Sequence, residues 1–319
     1  MAKLTERNLK AIPLDFLRWA KDPISGEGGM RVARMVMNVI GPEFEDARRK
    51  FKANPIGQQI LKDRPSLEAM VLDMDRMKEM PAGTLGNEVY KFMHNDDYII
   101  PGYMIPGFFM MGGYYDSLEK DEEMDYLIHR FFFAHDLHHV IGGYGPDPCG
   151  EALNAMFTAG WSGLISRQLS YLTFFGLAAL SMTPKVGRKA WLYHLDEAYD
   201  RGAATRRKTH LSCVYWEKII DKPIEEGRAV VGVPPSSVGH MTTSDWMAHS
   251  RLTDAVINSF GKMPRLKKKA KALTQAIDEY GVSWRDIFRV HPDTMDQVAE
   301  HVMRGPTTKE AIQRILARA

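Results

Sequence analysis

The sequence predicts an all-α protein, a helical bundle-like domain carrying a metal-binding helical hairpin. Three observations support this. Apolar residues recur at three- and four-residue spacing along most of the 319 residues, and no run sustains the alternation of a strand. In the middle of the chain, His135 and His139 are four residues apart, so on a helix they stand one turn above each other on one face.

In chain order, residues 14–20 and 30–53 read as two packing helices, separated by the glycine-rich stretch 21–29. Pro55, Pro65 and Pro81 mark boundaries around a helix over 67–80, with Leu67, Met70, Val71, Met74 and Met77 on one side. Such a methionine stripe belongs to a core. Residues 98–115 are uncharged, yet their prolines and glycines forbid a membrane helix. The stretch reads as a greasy loop, either a buried connector, the mouth of an apolar tunnel or a lid touching a membrane. The motif helix spans 125–140. Residues 168–184 are again uncharged but too short and polar to span a bilayer, which predicts a buried helix. A long amphipathic helix or pair follows over 191–220, with Arg201, Arg206, Arg207 and Lys208 as a solvated basic face. Residues 230–243, rich in Val, Pro, Ser and Gly, form a boundary. Beyond it lies a small helical extension, with Lys262, Arg265, Lys267, Lys268, Lys269 and Lys271 followed by apolar residues at helical spacing. Its basic run is first a solvated face and second a contact for an anionic membrane surface or a partner.

Hydrophobic content of 45% and charged content of 26% are ordinary for a soluble protein. With 42 basic and 40 acidic residues, the net charge of +2 implies no nucleic-acid partner. Two cysteines, Cys149 and Cys213, cannot build a disulfide framework, which fits a reducing compartment. The first residues hold acids and no apolar run, unlike a secretory signal or a transit peptide. The expectation is a cytoplasmic, bacterial-type chain, with peripheral contact on the inner face of the cytoplasmic membrane as a variant. No internal repeat, glycine-rich phosphate loop, GxSxG elbow or CxxC pair is present.

The chemistry concentrates between Arg130 and Glu151. Asp136 points about a quarter-turn from the His135/His139 face. The loop 142–149 ends this helix and opens another, with Asp147 as N-cap and Pro148 at the first helical position, so Glu151 falls in the first turn. A helical hairpin can then offer two imidazoles and one or two carboxylates to one point, an open divalent site. Buried structural histidines are the plainer reading. They leave unexplained why so many ionisable groups lie between apolar 131–133 and Leu153, Met156 and Phe157, where unpaired charge is costly. Cys149 reads as a small residue opening the helix rather than as a ligand.

The pattern His135-Asp136-x-x-His139, eleven residues, Glu151 resembles the signature of the fourth coenzyme Q (ubiquinone) biosynthesis protein family. The resemblance extends to Asp63-Arg64-Pro65 and to Pro81-Ala-Gly-Thr84-Leu-Gly86 with Tyr90 and Phe92. Downstream it takes in Trp216-Glu217, Pro223, Arg228 and Gly232-Val-Pro-Pro235. It divides the chain into N-terminal helices 1–56, a family core 57–235 and a C-terminal extension 236–319.

The resemblance implies an α-helical protein of ubiquinone synthesis: a lyase removing the C1 carboxylate of a polyprenylated hydroxybenzoate, with hydroxylation of that carbon in an oxidative variant. A non-catalytic prenyl-lipid-binding scaffold of the quinone-synthesis complex is the alternative. A metal-dependent hydrolase is a third reading, but it lacks the glutamate base of His-Glu-x-x-His, since position 136 is Asp. In the lyase reading His135, His139 and Glu151 hold the metal, and Asp136 is a fourth ligand or orients an imidazole. His138 shuttles a proton or bonds substrate. Zinc is the first choice of metal, with iron(II), manganese or magnesium as alternatives. The expected partners are a polyprenylated aromatic or prenyl lipid, other quinone-biosynthesis proteins and a second copy as a homodimer. The loop 98–115 and the helix 168–184 are expected to bound an apolar pocket for the prenyl tail.

Overall fold

A computed structural model describes residues 2–3, 9–21, 26–95, 98–99, 107, 110, 113–238, 241–257 and 264–318. Among them the chain is 73% helix and 3% strand, the all-α class expected. Its strands are two-residue pairings, such as Thr183–Pro184 antiparallel to Met247–Ala248. No helix among the described residues is long and apolar enough to cross a membrane.

The first helices are α1 (Ile12–Lys21), α2 (Gly26–Ile40), α3 (Phe44–Ala53) and α4 (Pro55–Asp63). The single helix expected over 30–53 is broken, because Pro42 cannot supply the N–H that continues α2 and Gly41–Glu43 tighten into a 3-10 turn. The helix expected over 67–80 also divides, into α5 (Leu67–Leu72) and α6 (Met74–Glu79). Asp73 uses its side chain to cap the second by accepting the Arg76 N–H. The stripe is still core: Leu67, Met70, Val71 and Met77 are buried. Next comes α7 (Leu85–Met93), capped by Thr84.

The motif helix begins earlier than expected and is interrupted at Ala134, giving α8 (Glu122–Phe133) and α9 (His135–Gly142). The next helix, α10 (Pro148–Ser162), opens on Asp147 and Pro148 as the sequence predicts. The uncharged 168–184 run is not one helix. It forms α11 (Arg167–Ser170) and α12 (Phe174–Ser181), because the Thr173 hydroxyl caps a new start by accepting the Gly176 N–H.

A 21-residue helix, α13 (Arg188–Lys208), lies against α10. Contact is backbone to backbone: a Cβ on Gly202 would meet the Phe157 carbonyl oxygen at 2.0 Å, and one on Gly160 would meet the Tyr199 carbonyl oxygen at 2.0 Å. Of the basic residues expected on a solvated face of α13, Arg207 and Lys208 are exposed but Arg201 is buried. Its guanidinium donates to Gly142 O at 3.1 Å and Pro234 O at 2.8 Å, and the cost of burying the charge is offset by those bonds.

The remaining helices are α14 (Ile224–Val231), α15 (Thr243–Trp246), α16 (Arg251–Ile257), α17 (Pro264–Asp278), α18 (Trp284–Arg289), α19 (Pro292–Met303) and α20 (Lys309–Leu316). The last four rest on the same core as the rest. Trp284 packs edge-on to Phe133 with ring centroids 6.0 Å apart, and Arg285 meets Glu68 at 2.6 Å. The greasy loop over 98–115 falls for most of its length outside the described residues, as does Lys262.

Candidate metal centre

The site is built by a glycine-shaped loop between α9 and α10. Gly143, at φ 79°, ends α9 by donating to His139 O at 2.8 Å, a conformation that a side chain would strain. Asp147 then accepts the N–H groups of Cys149 and Gly150, setting Glu151 in the first turn of α10. Gly150 must be glycine, because a Cβ there would meet the Gly145 carbonyl oxygen at 1.9 Å. That same carbonyl accepts the Nδ1–H of His139 at 3.1 Å, so the loop that brings Glu151 back also fixes the imidazole it faces.

The other ring nitrogen of His139, Nε2, lies 3.3 Å from Glu151 Oε2, and His135 Nε2 lies 3.5 Å from the same oxygen. His135 is oriented in turn by Asp136, whose Oδ1 accepts from Nδ1 at 3.2 Å. One nitrogen of each histidine and one oxygen of Glu151 thus lie within 4.8 Å of one another. Asp136 and Cys149 are outside this group. Phe92 and Phe175 wall it, their rings 5.1 Å from His139 and 6.5 Å from His135.

The electrostatics are those of a cation site. Burial favours the neutral acid of Glu151, yet His139 and His135 outweigh it and bring the carboxyl down to about 2. Burial likewise opposes charge on His135, but the Glu151 carboxylate and the bond to Asp136 prevail and raise it to about 10. Both shifts have one cause, the mutual stabilisation of imidazolium and carboxylate, so a divalent ion at this point would compete with the proton on His135. The donor set fits that ion: two imidazole nitrogens whose opposite N–H groups are already engaged, and one ionised carboxylate.

His138 is not brought into this group. Its ring sits among Trp161, Trp216 and Phe131 at 5.5, 5.7 and 6.3 Å, and burial, followed by its two histidine neighbours, pushes it well below the ordinary range. The pocket expected between 98–115 and 168–184 lies largely outside the described residues. A narrow cavity of about 30 Å³ is lined by Phe44, Leu127, Arg130, Phe131, Leu211 and Trp216, none of them from 98–115 or 168–184.

Three supporting residues escaped sequence reasoning. Arg228 donates to Val140 O at 3.2 Å and Ile141 O at 3.0 Å, and Arg201 to Gly142 O, so two guanidiniums hold the carbonyl end of α9. Thr243 accepts the Cys149 N–H at 3.0 Å and donates to Asp147, tying the 236–319 segment to the start of α10. Arg228 stood in the motif without a role, and Arg201 was hidden in a charge run.

The family model described as Coenzyme Q (ubiquinone) biosynthesis protein Coq4 matches residues 22–236, beginning upstream of residue 57, where the motifs placed the core. Ubiquinone biosynthesis protein COQ4, mitochondrial, of Meyerozyma guilliermondii is 26% identical over 196 residues, 61% of this chain and 57% of that protein. The COQ4 homolog of Aedes aegypti is 28% identical over 199 residues, 60% of this chain and 64% of that protein. The rat homolog is 32% identical over 117 residues, 37% of this chain and 40% of that protein. The chain thus spans less than two thirds of the length of these relatives. Among solved structures, a chain from Nostoc punctiforme is 18% identical with a TM-score of 0.49, covering 72% of this chain and 100% of that one. Because the family match runs over residues 22–236, most of the chain and the whole of the span from His135 to Glu151, the chain belongs to the coenzyme Q (ubiquinone) biosynthesis protein Coq4 family.

Proposed function

We propose that the chain is a metal-dependent lyase of ubiquinone synthesis that removes the C1 carboxylate from a polyprenylated hydroxybenzoate, working beside other proteins of that pathway. The observation that carries this reading is the convergence of His135 Nε2, His139 Nε2 and Glu151 Oε2 on one point, with His139 and Glu151 buried and His135 partly so. His135, His139 and Glu151 would hold the ion, with zinc the first choice for two imidazoles and one carboxylate and iron(II) the choice if oxygen is consumed. When bound, the ion supplies a Lewis acid that steadies negative charge as the carbon–carbon bond to the carboxylate breaks.

The chain's own groups do the positioning. Asp136 fixes the His135 ring, and the Gly145 carbonyl fixes His139, so each presents Nε2 inward. Phe92 and Phe175 flank the point and would give an aromatic ring apolar surface to lie against. His138 is assigned no proton-transfer step, since it is walled off by Trp161 and Trp216.

The test is elemental analysis of protein purified from its source, set beside a His135→Ala/His139→Ala variant. The account expects about one divalent ion per chain, lost in the variant with circular dichroism unchanged. Equal metal content in both would reduce the site to a buried polar cluster.

A further inference from the structure

We infer that Asn154 gives the amide oxygen of its side chain to the divalent ion as a fourth donor, beside His135, His139 and Glu151. The inference rests on the metal reading above and deepens it. Asn154 follows Glu151 by three residues on α10, so their Cβ atoms lie about 5–6 Å apart on one face of the helix. Ligands three apart on one helix reach a common ion in the carboxylate sites of helical bundles. Asn154 is 1% exposed, and its Oδ1 is buried with no hydrogen-bond partner. An amide oxygen in that state costs free energy comparable to a lost hydrogen bond, which an apolar side chain in its place would avoid. A cation held there would offset the cost.

Location separates Asn154 from the other buried polar atoms that lack a partner. Eight such atoms occur among the described residues. Four belong to side chains already engaged: Arg34 meets Asp15 at 3.3 Å, Asn87 donates to Lys78 O at 3.4 Å, His194 faces Glu197 at 3.6 Å and His210 meets Ser212 at 3.1 Å. The other four are His138 Nε2, Asn154 Oδ1, Thr158 Oγ1 and Trp246 Nε1. All but the last lie on α9 and α10, the two helices that carry the ligands. His138 is packed among Trp161, Trp216 and Phe131, and Thr158 stands about two turns beyond Glu151. Asn154 is the one of these within a turn of Glu151. Its chemistry suits the place, because an amide oxygen is a donor with no proton to displace. It adds a fourth contact without adding a second titrating group to the site.

The test is zinc competition with a chromophoric chelator, together with cobalt(II) absorption spectra and melting in chelator, on the full chain, Asn154→Leu and Asn154→Asp. Asn154→Leu keeps a branched side chain and removes the donor. Its zinc affinity should fall at least ~10-fold at every pH, with the slope against pH unchanged and the cobalt(II) bands shifted. In chelator the same variant should melt no lower than wild type, since an unpartnered buried oxygen has gone. Asn154→Asp should move affinity the other way, ~10-fold tighter, because a carboxylate is the stronger donor to a divalent ion. A merely structural asparagine would give two variants that melt lower in chelator yet hold zinc with the wild-type affinity and cobalt(II) with the wild-type spectrum. That result would overturn the inference and leave the metal reading standing, provided His135→Ala/His139→Ala still loses the ion. Absence of zinc from wild-type protein would overturn both. Should Asn154→Leu fail to fold, Asn154→Asp decides alone: tighter zinc supports the inference, and equal or weaker zinc overturns it.

Discussion

Glu151 Oε2 lies 3.3 Å from His139 Nε2, and the carbonyl that fixes the far side of that imidazole belongs to Gly145, on which Gly150 packs immediately before Glu151. One loop therefore sets both members of the pair. The candidate metal site is therefore a property of the α9–α10 hairpin as a unit.

A divalent ion held by His135 would compete with a proton there, because Glu151 and Asp136 raise the imidazole to about 10 against the effect of burial. Below that pH, affinity for zinc should rise about tenfold for each unit of pH, one proton being released per ion. Competition with a chromophoric chelator between about pH 6 and 8 measures the slope. A flat profile would mean that the ion binds elsewhere.

In metal-free protein the same pair acts on stability. His135 is raised from 6.5, so its contribution is complete below 6.5 and is lost as pH climbs towards about 10. Glu151 is depressed from 4.5, so its contribution is present above 4.5 and is lost as pH falls towards about 2. This is one ion pair and counts once. Melting temperature in chelator should therefore peak between 4.5 and 6.5 from this source, and Glu151→Gln should flatten the peak on both sides.

Gly150→Ala should drive a methyl group to 1.9 Å from the Gly145 carbonyl oxygen and force the loop apart. The expected loss is about 1–3 kcal/mol in urea unfolding, together with weakened zinc binding, because His139 loses its fixed orientation. Unchanged zinc affinity in a destabilised protein would detach the loop from the site.

Asp136→Ala removes the acceptor on His135 Nδ1 without touching Nε2. Zinc affinity should fall by roughly 10-fold, with the far-ultraviolet spectrum unchanged. A much larger loss would place Asp136 on the metal itself.

Arg201→Met tests the carbonyl end of α9. It leaves Gly142 O and Pro234 O without their donor, at a cost of roughly 2–4 kcal/mol in equilibrium unfolding. Had Arg201 been the solvated residue its charge run suggested, the change would be near zero.

The legible parts of this chain were those where local rules decide the outcome. Spacing alone aligned His135 with His139, and Asp147-Pro148 announced the start of α10, because caps and periodicity act within a turn or two. Breaks inside helices were harder to read. Asp73 and Thr173 compete for the backbone from within apolar runs, and Gly41-Pro42 interrupts a pattern whose periodicity continues on both sides. Long-range partners were hidden altogether. Arg201 and Arg228 act on carbonyls 59 and 87 residues away, and Thr243 meets Cys149 across 94, distances at which a single sequence carries no signal.

The most direct test is Glu151→Gln, which keeps the volume of the side chain and removes the charge that two neutral imidazoles cannot replace. The account predicts a folded protein with metal affinity lower by about 10-fold or more, turnover of a prenylated hydroxybenzoate reduced at least as far, and no restoration of quinone synthesis in a strain lacking the protein. Full complementation by Glu151→Gln, with unchanged circular dichroism, would contradict it and leave the chain a scaffold that holds its lipid without chemistry.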